Sequence, residues 1–198
     1  MTTLTASERS VLQMLWPAQG RGAVWTRGLV LALAGSVALW ASARLQVPFW
    51  PVPMTMQTLV VTMIAATFGW RLGLATVMLY LAQGTVGLPV FAGTPERGIG
   101  LAYMVGPTGG YLLGFLAAVA VMAPLAGDGR SWTRMGVAMI AGNAVILLCG
   151  FLYLATLVGA SQAWAAGVLP FLTGALVKAA LGTALMVAGW RLLASWRR

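Results

Sequence analysis

Long apolar stretches separated by short connections constrain this chain more than any other feature: Gly28–Leu45, Met54–Phe68, Leu72–Val86, Pro107–Ala126, Met135–Val158 and Val168–Trp190. A bilayer core of ~30 Å is crossed by about 20 mostly apolar helical residues, and Gly or Pro interruptions are tolerated inside protein. The pattern predicts an all-α integral membrane protein, a bundle of six transmembrane helices. The second and third spans are short, since about 15 residues cover only ~22 Å. They therefore either continue through partly polar ends such as Thr55, Gln57 and Gln83 or pack inside protein.

Composition agrees. With 60% hydrophobic and 8% charged residues, the chain has too little polar surface to coat a soluble globule, whose charged share is normally about a quarter. The net charge of +9 would in a soluble protein suggest nucleic acid, but no stacking or basic-groove pattern accompanies it, and no nucleic-acid partner is expected. Charge position carries the information instead. With the N-terminus inside, Arg9, Arg21, Arg27, Arg71, Arg130, Arg134, Arg191, Arg197 and Arg198 fall on the cytoplasmic side, and only Arg44 and Arg97 fall outside. The Lys/Arg excess of cytoplasmic loops thus predicts that both termini are cytoplasmic, in a multi-pass membrane protein.

Three parts follow: a cytoplasmic segment 1–26, a bundle 27–191 and a basic tail 192–198. Thr5-Ala6-Ser7-Glu8 reads as a capping box, and Val11, Leu12, Leu15 and Trp16 share a helical face, the pattern of a helix on the inner membrane surface. A tail without fixed structure is the plainer alternative. Ala41-Ser42-Ala43 imitates a signal-peptide cleavage site, but it comes late, and losing the first span would disturb the charge balance.

The outer side holds the unusual sequence. Gln46-Val47-Pro48-Phe49-Trp50-Pro51-Val52-Pro53 has three prolines and two aromatics without a charge, which predicts a stiff extended segment. An interfacial aromatic belt and a substrate-covering loop are both open readings. Gly84–Gly106, with six glycines and two prolines, is a long apolar connection of the kind that serves as a lid. Pro107-Thr108-Gly109-Gly110-Tyr111 begins the fourth span with residues that let a ligand or a neighbouring backbone come close.

Lys178 lies about eight residues into the sixth span, roughly 12 Å from Pro170, and no acid lies in any span. A lysine at such depth costs ~2.5–3.5 kcal/mol unless it faces a polar cavity, and it calls for an anion. Glu8, Glu96 and Asp128 all lie in loops or the tail, so a ligand carboxylate is the expected partner. Snorkelling toward an interface is the plainer account. Asn143 is the other conspicuous polar group, and it suits interhelical bonding as well as ligand contact. Catalysis is not expected: there is no His and no membrane-embedded acid, and the single Cys149 offers neither a disulfide nor a metal cluster. No cofactor is expected.

Pro51-Val52-Pro53-Met54-Thr55-Met56-Gln57-Thr58-Leu59, Gly87-Leu88-Pro89-Val90-Phe91-Ala92-Gly93 and Pro107-Thr108-Gly109-Gly110-Tyr111-Leu112, in this order and spacing, resemble the BioY family. Those proteins are the biotin-binding S components of energy-coupling factor (ECF) vitamin transporters. The resemblance covers about Gly28 to Trp190 and implies biotin held beneath the first and third connecting loops. With biotin as the ligand, Lys178 is the expected partner of the carboxylate, Gln57, Thr108, Asn143 and the backbone near Gly93 are candidates for the ureido head, and Phe91, Trp50 and Tyr111 are candidates to pack around the rings. The family carries an Asp three residues before the lysine, where this chain has Ala175. Charge matching survives that loss, while affinity, pH dependence or ligand preference can differ, so another vitamin or small organic anion is the competing ligand.

No Gly-x-x-x-x-Gly-Lys-Ser/Thr loop is present. The resemblance implies a membrane T component and cytoplasmic ATPase subunits as partners, although some members are held to work alone. Ala34 and Ala38, with Ala41 and Gly35, give span one the small-residue spacing of a partner-docking face, and packing within the chain fits equally well.

Overall fold

The computed structural model describes residues 20–47, 54–96, 98–127 and 129–195. Their order is α1 (Arg21–Arg44), β1 (Gln46–Val47), β2 (Met54–Thr55), α2 (Gln57–Thr85), α3 (Gly100–Met104), α4 (Gly109–Ala126), α5 (Trp132–Val158), α6 (Ala160–Gly167) and α7 (Leu169–Ser195). The capping box at Thr5–Glu8, the Val11–Trp16 face and the segment containing Trp50 lie outside the described residues.

Five of these helices, α1, α2, α4, α5 and α7, are long and apolar enough to cross a membrane. Their surfaces invert the soluble pattern. On α1, Trp25, Leu29, Leu33, Val37 and Trp40 are exposed, whereas Gly35, Ser36 and Ser42 are buried. Both serines satisfy their hydroxyls on their own helix, at Leu33 O and Leu39 O. Large side chains outward and small ones inward is what lipid selects, because interhelical packing rather than water exclusion drives association.

The count of five hides a reversal. Within α2, Gly69 has φ 73° and ψ −179°, a combination that only glycine adopts readily. The chain folds back there. Gln57 Nε2 lies 2.7 Å from Tyr80 Oη, two residues that a straight helix would hold ~34 Å apart. The expected short spans Met54–Phe68 and Leu72–Val86 correspond to the two limbs of this hairpin. Gly35 of α1 packs against Thr76, Phe68 and Ile64 on both limbs, leaving no room for a Cβ.

On the other side, α4 packs along α5 where Gly114 meets Ile146 and Cys149 and Gly150 lies under the Tyr111 ring. Ser131 caps α5 by accepting from Arg134 N, and Gly159, at φ 84°, ends it. The short α6 was not foreseen in the sequence. It buries Ala163 and Gly167, sets Trp164 edge-on to Phe151 and leads into α7, whose first turn takes Pro170 without losing a helical bond.

The core is uneven along the bundle. Met122, Met135, Met139, Val187 and Trp190 fill the end near the α4–α5 connection. The opposite end, where β1 and β2 pair with Gln46 opposite Thr55 and Val47 opposite Met54, is hollow.

Candidate functional site

A cavity of about 520 Å³ opens at the β1–β2 end, within the range of small-molecule sites. It is walled by the start of α2, residues 92–93, Tyr103, the start of α4, the second half of α5, α6 and the start of α7. Apolar side chains such as Phe115, Ile146, Leu154 and Phe171 supply most of the lining, and Lys178 is the one charged residue among the described lining residues.

Lys178 is placed by helical spacing. Phe171, Ala175 and Lys178 all line the cavity, at intervals of four and three that share one helix face. Met54 rests on Gly174 of α7 and so brings β2 against this face. The Lys178 Nζ then donates to Thr55 O at 2.9 Å and to Thr58 Oγ1 at 3.0 Å. An ammonium carries three donors, so one stays available to an anion after those two bonds. Both partners are neutral, and no carboxylate lines the cavity among the described residues. The positive charge is therefore left for a ligand to balance.

The other polar groups are oriented by their neighbours. Gln57 is buried and donates through Nε2 to Tyr80 Oη. Asn143 is buried in α5 and donates from Nδ2 to Met139 O at 2.9 Å, which leaves its Oδ1 for another donor. Tyr111 donates its hydroxyl proton to Gly167 O at 2.7 Å, tying α4 to the end of α6. Thr108 is the residue before α4, and its side chain makes no capping bond. Gly93 turns the loop at φ 75°.

The cavity therefore brings together Lys178, Gln57, Gly93, Thr108, Tyr111 and Asn143. Phe91 departs from its expected place. It is fully buried behind the wall, edge-on to Tyr80 at 5.6 Å and stacked on Tyr103 at 4.8 Å, with its ring over Gly84. A glycine at 84 leaves a socket in α2, and the Phe91 ring fills it. Tyr103, which stacks on Phe91, lines the cavity, and Phe91 does not. Ala34 and Ala38 lie on the exposed outer face of α1, while Gly35 is turned inward against α2.

Residues 89–94, part of the expected lid Gly84–Gly106, are pinned at several points. Arg44 at the end of α1 donates to Pro89 O at 2.7 Å, to Thr94 O at 3.0 Å and to Thr94 Oγ1 at 3.4 Å. Tyr80 donates to Val90 O and Tyr103 to Ala92 O. Sequence reasoning counted Arg44 only as an outer charge, and it missed Thr55, Thr58, Tyr80, Tyr103 and Phe171. Phe171 could have been found by following the face of Lys178 back along the helix. The others depend on long-range folding.

Residues 10–195 match the BioY family. The chain belongs to the BioY family. Among BioY relatives, the Biotin transporter BioY of Rhizobium etli is 37% identical over 185 residues, covering 85% of this chain and 97% of that one. The Probable biotin transporter BioY of Pyrococcus horikoshii is 38% identical over 146 residues, with 74% and 84% covered. That of Rickettsia prowazekii is 34% identical over 151 residues, with 76% of each covered. A crystal structure at 2.1 Å of the S-component for biotin from an ECF-type ABC transporter superposes with a TM-score of 0.72 at 19% identity, over 88% of this chain and 95% of that one. That match is a likeness of fold. As a BioY protein with several long apolar helices, the chain is a multi-pass membrane protein.

Proposed function

We propose that the chain captures biotin in the cavity and serves as the S component of an ECF-type transporter that takes the vitamin up. The observation that carries this reading is Lys178, a cation inside an apolar cavity with only neutral partners. Biotin is an apolar chain with a carboxylate at one end and a ureido ring at the other. Its carboxylate suits Lys178, and its ring suits the amides of Gln57 and Asn143. The names of the BioY relatives support the ligand.

The accompanying topology is six crossings with both termini cytoplasmic, in the bacterial inner membrane. The reversal at Gly69, which makes two limbs of α2, and the distribution of arginines support it. Energy would come from a membrane T component and ATPase subunits, with Ala34 and Ala38 on the exposed face of α1 as the docking surface. Uptake by cells lacking both kinds of subunit tests whether the chain also transports alone.

Ala175 favours a second reading. It lines the cavity beside Lys178 at the position where the family resemblance implies an acid, so transport of another vitamin or small organic anion competes. Calorimetry on purified protein in lipid nanodiscs separates the two. Stoichiometric biotin binding is expected, weakened about a hundredfold in Lys178→Ala, as truncating one side of a buried charge pair costs ~3 kcal/mol. Equal affinity in the variant would sink the role given to Lys178. No biotin binding, with binding of another organic anion, would favour the second reading.

A further inference from the structure

Tyr80 makes no contact with the cavity: it is fully buried and absent from the lining. Its hydroxyl nonetheless joins a lining residue to the wall. The group has one proton, and Val90 O accepts it at 2.9 Å. Toward Gln57, only 2.7 Å away, Tyr80 Oη can therefore act only as an acceptor. This removes the usual ambiguity of a side-chain amide, because the reversed amide would set two acceptors against each other. Nε2 must face Tyr80. Among the described residues no donor reaches Gln57 Oε1, and Gln57 lines the cavity.

We infer that Tyr80 is a positioning residue that fixes the Gln57 amide so that Oε1 is offered to an N–H donor on the ring of the bound ligand. The inference rests on the biotin reading above and deepens it by assigning polarity to the site. An N–H donor is read at Gln57 and a carboxylate at Lys178. The proton of Tyr80 is committed to Val90 O. The wall and the reading group are thus set by one hydroxyl. A ligand presenting an alkylated nitrogen or an acceptor at that place would leave Oε1 unpaired in a buried setting, which is how a polar site rejects a near-isostere.

The test compares binding of biotin with binding of its two analogues methylated on one or the other ureido nitrogen, using the full chain in nanodiscs. In the wild type, one isomer is expected to bind at least about tenfold more weakly than biotin. In Tyr80→Phe, which keeps the ring against Phe91, the amide is free to turn and that ratio should fall toward one, while biotin itself still binds. An unchanged ratio in Tyr80→Phe, with biotin bound by both proteins, overturns this inference and leaves the biotin reading standing. Failure of the wild type to bind biotin overturns both. Should Tyr80→Phe not fold, Gln57→Leu carries the test, since the ratio must collapse there too. Persistence of the ratio in Gln57→Leu overturns the inference.

Discussion

The two ends of this bundle are built from the same helices to opposite effect. Near the α4–α5 connection, Met122, Met135 and Met139 meet across α4 and α5 with Val187 and Trp190 of α7, and the space is filled. At the β1–β2 end the same α4, α5 and α7 stand around an open cavity. The boundary between the two falls at Gly142 and Gly182. Gly142 packs on Met122 and Thr62, and Gly182 packs on Leu59 and Met139. Gly142 directly precedes Asn143, and Gly182 follows Lys178 by one helical turn, so the polar groups begin where the close packing stops. Stability and binding are therefore divided along the membrane axis, and substitutions should affect one without the other.

The largest effect that tests this division is expected at the filled end. Met139→Ala removes a fully buried side chain under the cavity floor and should destabilise the protein by about 3 kcal/mol, in the usual range for such truncations. Thermal unfolding in detergent measures this. Biotin affinity of the folded fraction should hardly change, and a parallel collapse of affinity would erase the division.

Arg44→Ala comes next, at the hollow end. It removes the bonds to Pro89 and Thr94 that pin the wall. Biotin should dissociate about tenfold faster, equivalent to ~1.4 kcal/mol, with little change in unfolding temperature. Stopped-flow displacement reads the rate, and an unaltered rate would show that Tyr80 and Tyr103 hold the wall without help.

Ala175→Asp should have the smallest effect. A carboxylate one turn before Lys178 would share its ammonium and weaken binding of a monoanionic ligand about threefold, or ~0.7 kcal/mol. Tighter binding in calorimetry would instead mean that Lys178 is held better by an acid than by Thr55 and Thr58.

How far this architecture was legible follows from the kind of information each part requires. The apolar runs could be read because hydropathy is local: Pro107–Ala126 became Gly109–Ala126 and Met135–Val158 became Trp132–Val158, while Gly28–Leu45 became Arg21–Arg44 and Val168–Trp190 became Leu169–Ser195, both longer than expected. The reversal at Gly69 was legible too, because Gly-Trp-Arg at 69–71 interrupts two apolar runs and so reads as a short connection between the second and third spans. Lys178 announced itself through the cost of a charge in lipid. Gln57, Gly93, Thr108, Tyr111 and Asn143, the last four together with Gln57 suggested by polarity or family resemblance, do line the cavity. Phe91 was misplaced because its socket at Gly84 exists only after the loop has folded back on α2. The bonds of Arg44 and Tyr80 span dozens of positions or follow from the hairpin, and no local pattern carries them.

The reversal at Gly69 also bears on how two short limbs are supported within a bundle of longer helices. Limbs of 57–68 and 70–85 are ~18 Å and ~24 Å long, each shorter than a ~30 Å hydrocarbon core. The pair is buttressed by the neighbours that pack on it: Gly35 of α1 on one side and Val119 of α4 against Gly73 on the other. The bond from Gln57 to Tyr80 joins the two limbs across that hairpin, so the stretch of cavity wall that Gln57 supplies is held by both limbs at once.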